Sequence, residues 1–479
     1  MGMLALVLLS TATRYDYHRD ELYFRLLEPA WGYVDQPPLT PVMVELATAL
    51  LGDTLLPVRL VAIVLAVLSL PILALITTEM GGGRLAVVLT LWGMAGATLT
   101  LQFGHVLLTA SVDLVFWPAL LLCVLRALRR EDGRWWLVAG MVAGLATYNR
   151  LLIAVPLLGV AMGIALLGPR RWLRSGYVWA GVGLVLLVSS PNLLYQATHE
   201  WPQFTMGAAL GQNNAGEVRV MMWPFLVLLV GPVLTWFWGH AVVALWRRPD
   251  WRPVRSLLVV FVMVIVFEFA AGAQFYYASG ILAVLVAVGA VPVAESAGEQ
   301  VGEKEGMRTA TASARRGLAG ALALNTAGCA VMVLPLAPVP STPVSVVAGI
   351  NTATADQIGW GAYTAQVEEA AEEADADAVI TSNYGEAGAL DRYGEHLPSV
   401  HSGHNALWDR GGPAADADTI VMVGGQGENV TGYFEECTLA AELDNGVDVD
   451  NEEQGEPILV CAGPKAPWSE LWPHFRHLD

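Results

Sequence analysis

The side chains that could do chemistry are carboxylates placed where so apolar a chain has little reason to keep them. Asp20 and Glu21 stand side by side in "YDYHRDELYF" (15–24), directly after the first hydrophobic stretch. Asp35 precedes the Pro37-Pro38 pair, Asp113 interrupts "LLTASVDLVFWPALLL", and Glu268 sits in "VIVFEFAAG". An acid at the centre of an apolar membrane helix costs on the order of 2.5–3.5 kcal/mol, less near the interface, so it usually faces a cavity or a partner. By that measure Asp113 ranks ahead of the acids in loops. Carboxylates so placed can take a proton, stabilise a developing positive charge or couple to an ion. Each also has a plainer reading. Asp20 and Glu21 could be solvated acids near a helix start, Ser111 or Asp113 the N-cap of a membrane helix, and Glu268 a snorkelling interface residue. His105, near Asp113, is either a metal ligand or a structural histidine.

The elements that must position these acids are membrane helices. The chain has 479 residues, is 55% hydrophobic and 15% charged, and its apolar stretches approach the ~20 residues a helix needs to cross a bilayer. Spans are expected near 1–12, 56–77, 85–103, 114–128, 135–148, 151–167, 177–196, 220–245, 257–271, 275–294 and 317–336, which makes a polytopic α-helical membrane protein of about 11 transmembrane helices. Basic loops then set the orientation. Arg126/Arg129/Arg130/Arg134, Arg170/Arg171/Arg174, Arg247/Arg248/Arg252/Arg255 and Lys304/Arg308/Arg315/Arg316 fall on one side, the cytoplasmic one by the positive-inside rule. The 13–55 loop, the neighbourhood of Asp113, the 197–219 loop and the whole C-terminal tail then lie outside. "MGMLALVLLSTA" is about half the required length and lacks the basic start of a signal peptide, so a missing N-terminal segment or a misassigned start is expected. Within 13–55, Pro37-Pro38 suits a helix start, and Leu39, Val42, Met43, Leu46 and Leu50 repeat at helical spacing up to Gly52. That pattern predicts an amphipathic helix on the outer membrane surface.

Charge separates the tail from the rest. Residues 341–479 carry 25 acidic and 4 basic side chains, whereas the preceding 340 carry 19 and 22. A tail with that balance does not seek nucleic acid or anionic lipid. The expected domains are a membrane domain at 1–336, a Pro-rich linker at 337–350 and an acidic soluble α/β domain at 351–479, extracytoplasmic by the orientation above. "AQVEEAAEEADA" reads as a helix, "AVITSNY", "TIVMVGG" and "PILVCAGP" as buried strands, and "PWSELWPHF" as a terminal helix. Cys437 and Cys461 lie in this tail and are equally compatible with free thiols or, in an oxidising compartment, a disulfide. No internal repeat, P-loop, GxGxxG, nucleophile elbow or CxxC is present.

"RDELYF…GYVDQPPLTPVMVEL", "TASVDLVFW", "NLLYQATHEWP", "AQFYYASGILAVLVAVGA", "SNYGEAGAL" and "SGHNALWD" together resemble bacterial members of glycosyltransferase family thirty-nine. This is the dolichyl-phosphate-mannose-protein mannosyltransferase-like group with the GT-C fold, and the similarity runs through nearly the whole chain. The resemblance implies a cell-membrane, mannosyltransferase-like enzyme that moves a sugar from a polyprenyl-phosphate carrier to an extracytoplasmic protein, lipid or glycan acceptor, inverting at the anomeric carbon. Carried over by position, Asp20 is the general base, Glu21 supports it, Asp35 is the acid before the Pro-Pro segment, and Asp113 is the second acid of the membrane mouth. Relatives often have a basic residue beside the Pro-Pro acid and another before the "YY" pair, Tyr276-Tyr277; here Gln36 and Gln274 stand there. Arg150, after Asn149, is then the cation for the carrier phosphate, with Arg14, Arg19 and Arg59 in reserve, and a divalent metal could bridge Asp20, Asp113 and the phosphate. Two other classes compete. A transporter or lipid flippase would use Asp113 and Glu268 for ion coupling but should show inverted repeats, and a scaffold would depend on its tail and not on Asp20.

Overall fold

The computed structural model describes residues 1–272, 274–298 and 305–478, and Lys304 of the last basic loop lies outside them. The chain forms two compact units. One comprises 1–10, 36–40 and 59–332; the other comprises 11–35, 41–58 and 333–479.

The first unit is helical and the protein is a multi-pass membrane protein. Among the described residues, five helices are long and apolar enough to span a bilayer: Leu55–Glu79, Thr109–Arg130, Gly176–Thr198, Ser279–Ser296 and Ala312–Val333. Two bent helix pairs are long and apolar enough when taken together, Arg84–Ala95 with Thr98–His105 at 50° and Pro202–Leu228 with Pro232–Arg247 at 95°, each a broken span or a re-entrant loop. The expected spans at 1–12, 135–148, 151–167 and 257–271 are the shorter apolar helices Gly2–Thr11, Arg134–Ala146, Leu151–Leu166 and Ser256–Ala271. At ~1.5 Å per residue these last four fall short of the ~30 Å hydrocarbon thickness.

One expectation is corrected. The 197–219 loop is instead helical from Pro202 onward: Pro202 opens the helix at its first position, and the helix runs through Pro224 to Leu228, short of Gly231-Pro232, where Gly231 takes φ +88°. Its polar run "GQNNAGEVR" hid it from a hydropathy reading. Helices approach closely where side chains vanish. Gly140 and Gly181 face each other across Arg134–Ala146 and Gly176–Thr198, and a Cβ on either would meet the other helix's backbone.

The second unit is built on a five-stranded sheet of order β2-β1-β3-β5-β4, with β1 Ala378–Thr381, β2 Ser399–Ser402, β3 Thr419–Val423, β4 Phe434–Glu442 and β5 Pro457–Pro464. β1 pairs parallel with β2 and β3, whereas β5 runs antiparallel to β3 and β4. Ile420, Met422, Phe434, Trp468, Trp472 and Phe475 pack one side of it. Cys437 and Cys461 face each other across β4 and β5 and are disulfide-bonded. The Pro-rich segment folds as well. Thr342–Ala348 is a helix whose Val344 and Ala348 pack against Tyr15 and Val449.

The helix Arg19–Leu26 belongs to this unit and explains much of "YDYHRDELYF". His18 caps it by accepting the Asp20 N–H at Nδ1 (3.1 Å), and Glu21 Oε2 accepts the His18 N–H (2.9 Å), a reciprocal capping box. Acids in the first turn and Arg25 in the last also suit the helix dipole. This helix lies along Tyr384–Tyr393. There a Cβ on Gly385 would come within 2.9 Å of the Arg19 Cβ, and one on Gly388 within 2.6 Å of the Leu22 Cβ. The Gly-x-x-Gly spacing in "YGEAG" is therefore a seat for the first loop's helix.

Candidate active site

In the membrane unit, five of the expected site residues converge from three separate stretches of chain. Thr109 and Asp113 come from the first turns of Thr109–Arg130, Asn149 and Arg150 from the turn after Arg134–Ala146, and Tyr276-Tyr277 from the segment before Ser279–Ser296. Asn149 Nδ2 donates to Asp113 Oδ1 (3.0 Å) and to the Thr109 carbonyl (2.9 Å), and its Oδ1 accepts from the Thr40 hydroxyl (3.0 Å). Arg150 Nη2 donates to the Thr109 hydroxyl and to Tyr276 OH (3.3 Å). Its guanidinium carbon lies 5.0 Å from the Tyr277 ring centre and 5.6 Å from that of Tyr276. Arg150 Nη1 is buried with no hydrogen-bond partner among the described residues. Asp113, Arg150, Tyr276 and Tyr277 line a cavity of about 10 Å³, floored by Trp117. The arrangement is an orphaned guanidinium donor with two phenols beside it, donors of the kind that can bind an anion.

In the second unit, two of the expected acids are each held by a tyrosine. Tyr384 OH donates to Asp20 Oδ1 (2.9 Å), and Tyr23 OH donates to Asp35 Oδ1 (2.9 Å). The two tyrosine rings lie against each other at 4.6 Å, and the His404 ring stacks on Tyr384 at 4.7 Å. Burial pushes the Asp35 carboxyl up to about 7, the nearby Asp20 charge adding to the effect and the Tyr23 hydrogen bond opposing it. Glu21 is fully buried in its capping role.

The other expected residues fall elsewhere. Gln36 is buried with its Nε2 unpaired among the described residues, and Gln274 accepts the Tyr277 N–H through its carbonyl (3.1 Å); neither lines the cavity. The reserve cations are engaged locally: Arg19 with Glu452, Arg14 with the Pro335 carbonyl, and Arg59 with His105 (3.3 Å). Glu268 is buried in the last turn of Ser256–Ala271, outside the cavity lining. Among the described residues no three His, Cys, Asp or Glu side chains form a group that could hold a metal. Asn383 and Glu386 make the capping box of Tyr384–Tyr393, a structural duty. Sequence reading passed over Thr109, Tyr23 and Tyr384, whose only signal is a hydroxyl that folding brings to Arg150 or to a carboxylate.

Residues 35–195 match the family described as dolichyl-phosphate-mannose-protein mannosyltransferase. The whole structure is similar to that of ArnT from Cupriavidus metallidurans bound to undecaprenyl phosphate, with a TM-score of 0.61 at 13% identity over 97% of this chain and 98% of that one. The chain has the GT-C fold. A second GT-C structure, the Archaeoglobus fulgidus oligosaccharyltransferase in complex with Zn and sulfate, is similar at a TM-score of 0.51 and 12% identity, over 91% of this chain and 69% of that one. The sequence has no match among curated proteins. The Asp113–Asn149–Arg150 cluster falls inside the matched 35–195 segment, whereas Asp20 and the Tyr276-Tyr277 pair fall outside it.

Proposed function

We propose that this protein of GT-C fold is a glycosyltransferase that takes a sugar from a polyprenyl-phosphate-linked donor and passes it, with inversion, to the hydroxyl of an extracytoplasmic acceptor, mannose being the sugar the family resemblance favours. The observation that carries the reading is the buried, unpaired Nη1 of Arg150 beside Tyr276 and Tyr277. A leaving phosphate gains charge as the glycosidic C–O bond breaks, and a prealigned guanidinium stabilises that charge without reorganising. The similarity to ArnT bound to undecaprenyl phosphate supports a lipid-phosphate donor. Asp113, fixed by Asn149 and lining the same cavity as Arg150, can as a carboxylate offset positive charge growing on the sugar. Asp20 takes the acceptor's proton as its oxygen bonds to the anomeric carbon, and polyprenyl phosphate departs. The acidic domain at 351–479 stands on the acceptor's side of the membrane.

The test is transfer of labelled mannose from polyprenyl phosphate by membranes containing the full chain or its Asp20→Asn variant at matched expression, with divalent metal present or chelated. Turnover in the wild type that vanishes in Asp20→Asn supports transferase and base together. Turnover indifferent to the change removes the base assignment, and none in the wild type removes the donor.

A further inference from the structure

Tyr384 belongs to the tail, some 360 residues along the chain from the base it touches. Its phenol donates to Asp20 Oδ1 at 2.9 Å, while Asp20 itself is only half-buried and its Oδ2 makes no hydrogen bond among the described residues. One carboxylate oxygen is thus fixed, and the other is left to meet an incoming hydroxyl.

The phenol ring is packed by three neighbours. Its ring lies against Tyr23 at 4.6 Å and is stacked on His404 at 4.7 Å, and the Arg19 guanidinium sits 4.9 Å from its centre. Its own N–H donates to His404 Nδ1 (3.2 Å), and as the first residue after the Asn383 cap it cannot swing with a loop. Gly385 and Gly388 let the two helices close to the separation at which the hydroxyl reaches Asp20. A side chain so confined fixes the rotamer of whatever it binds.

We infer that Tyr384 is a positioning residue for the transfer reaction: its hydroxyl anchors the Asp20 carboxylate in the orientation that accepts the acceptor's proton, so the C-terminal domain takes part in catalysis through this one bond. The inference rests on Asp20 being the base. A purely structural bond is the rival explanation, and the same pair of segments supplies its control. Tyr393, at the far end of the same helix, donates its phenol to Asp16 in the same loop. It is an equivalent tyrosine–aspartate link that touches no proposed reacting group.

The experiment compares Tyr384→Phe and Tyr393→Phe in the full chain, using the labelled polyprenyl-phosphate mannose assay and thermal unfolding of the purified protein. Each change deletes one oxygen and leaves the ring. The expected result is a fall in kcat on the order of ten- to a hundred-fold for Tyr384→Phe at unchanged donor KM, and less than about two-fold for Tyr393→Phe. Adding Tyr384→Phe to Asp20→Asn should then lower turnover no further, since the base that Tyr384 positions is already gone. Equal losses in the two Tyr variants, tracking their unfolding temperatures, would overturn the inference. So would an unchanged kcat in Tyr384→Phe while Asp20→Asn is dead. Full turnover in Asp20→Asn would instead remove the base assignment beneath it.

Discussion

In the proposed donor site the charge and the shape of Arg150 can be tested apart. Arg150→Lys keeps a cation but loses the planar fork, while Arg150→Ala loses both. We expect kcat/KM for the lipid-linked donor to fall by about 100-fold, roughly 2.7 kcal/mol, in Arg150→Ala and to recover only partly in Arg150→Lys. Asp35 makes a prediction of a different kind. Its carboxyl, near 3.8 when exposed, titrates at about 7 in the fold because burial disfavours the anion. The folded state therefore holds a proton that the unfolded state releases between those values. Its stabilising effect is full below the unfolded value and is lost as pH rises through about 7. Asp35→Asn, which stays neutral, should unfold at a higher temperature than wild type at pH 8, by up to about 4 kcal/mol of stability, and show no such advantage at pH 4. Thermal unfolding across that range checks the sign.

At the scale of elements, the helix Arg19–Leu26 is seated by two glycines on Tyr384–Tyr393, and the seat has no slack. Gly388→Val would drive a branched side chain into Leu22, whose Cβ stands 2.6 Å from even a modest Cβ at that position. Overpacking of this kind costs typically about 1–3 kcal/mol. We expect a lowered unfolding temperature together with faster proteolysis within 11–35, because undocking frees the helix before the sheet opens. The strands show why some elements escape a reading of pattern. β1 and β3 are buried throughout their cores and read as apolar runs. β4 occupies a sheet edge with Glu435, Glu436 and Glu442 exposed, so its sequence advertises solvent and not a strand.

At the scale of the molecule, the acidic tail and its cystine argue together about topology. Disulfides persist outside the cytoplasm, so in protein taken from membranes under acid quench Cys437 and Cys461 should resist alkylation until reduced, whereas the buried Cys123 and Cys329 should label on unfolding alone. Mass spectrometry of differentially alkylated peptides reads this directly. Ready labelling of the tail pair before reduction would put the domain on the cytoplasmic side and remove the acceptor's side from the functional reading.

Composition and hydropathy by themselves determined that this chain lives in a membrane, since burying so many consecutive apolar residues leaves no other solvent for them. Local pattern also supplied the strands at 378–381, 419–423 and 457–464 and the singling out of Asp113, because an acid in an apolar run is conspicuous in one dimension. What only the tertiary structure decided is who answers each charged group. Nothing along the chain joins Arg150 to Tyr276, Asp20 to Tyr384 or Cys437 to Cys461, for these partners are 24 to 364 residues apart. Nor could the sequence show that Glu21, beside Asp20, spends its carboxylate on capping a helix. Hydrogen bonds are made over about 3 Å, and only folding sets distances on that scale.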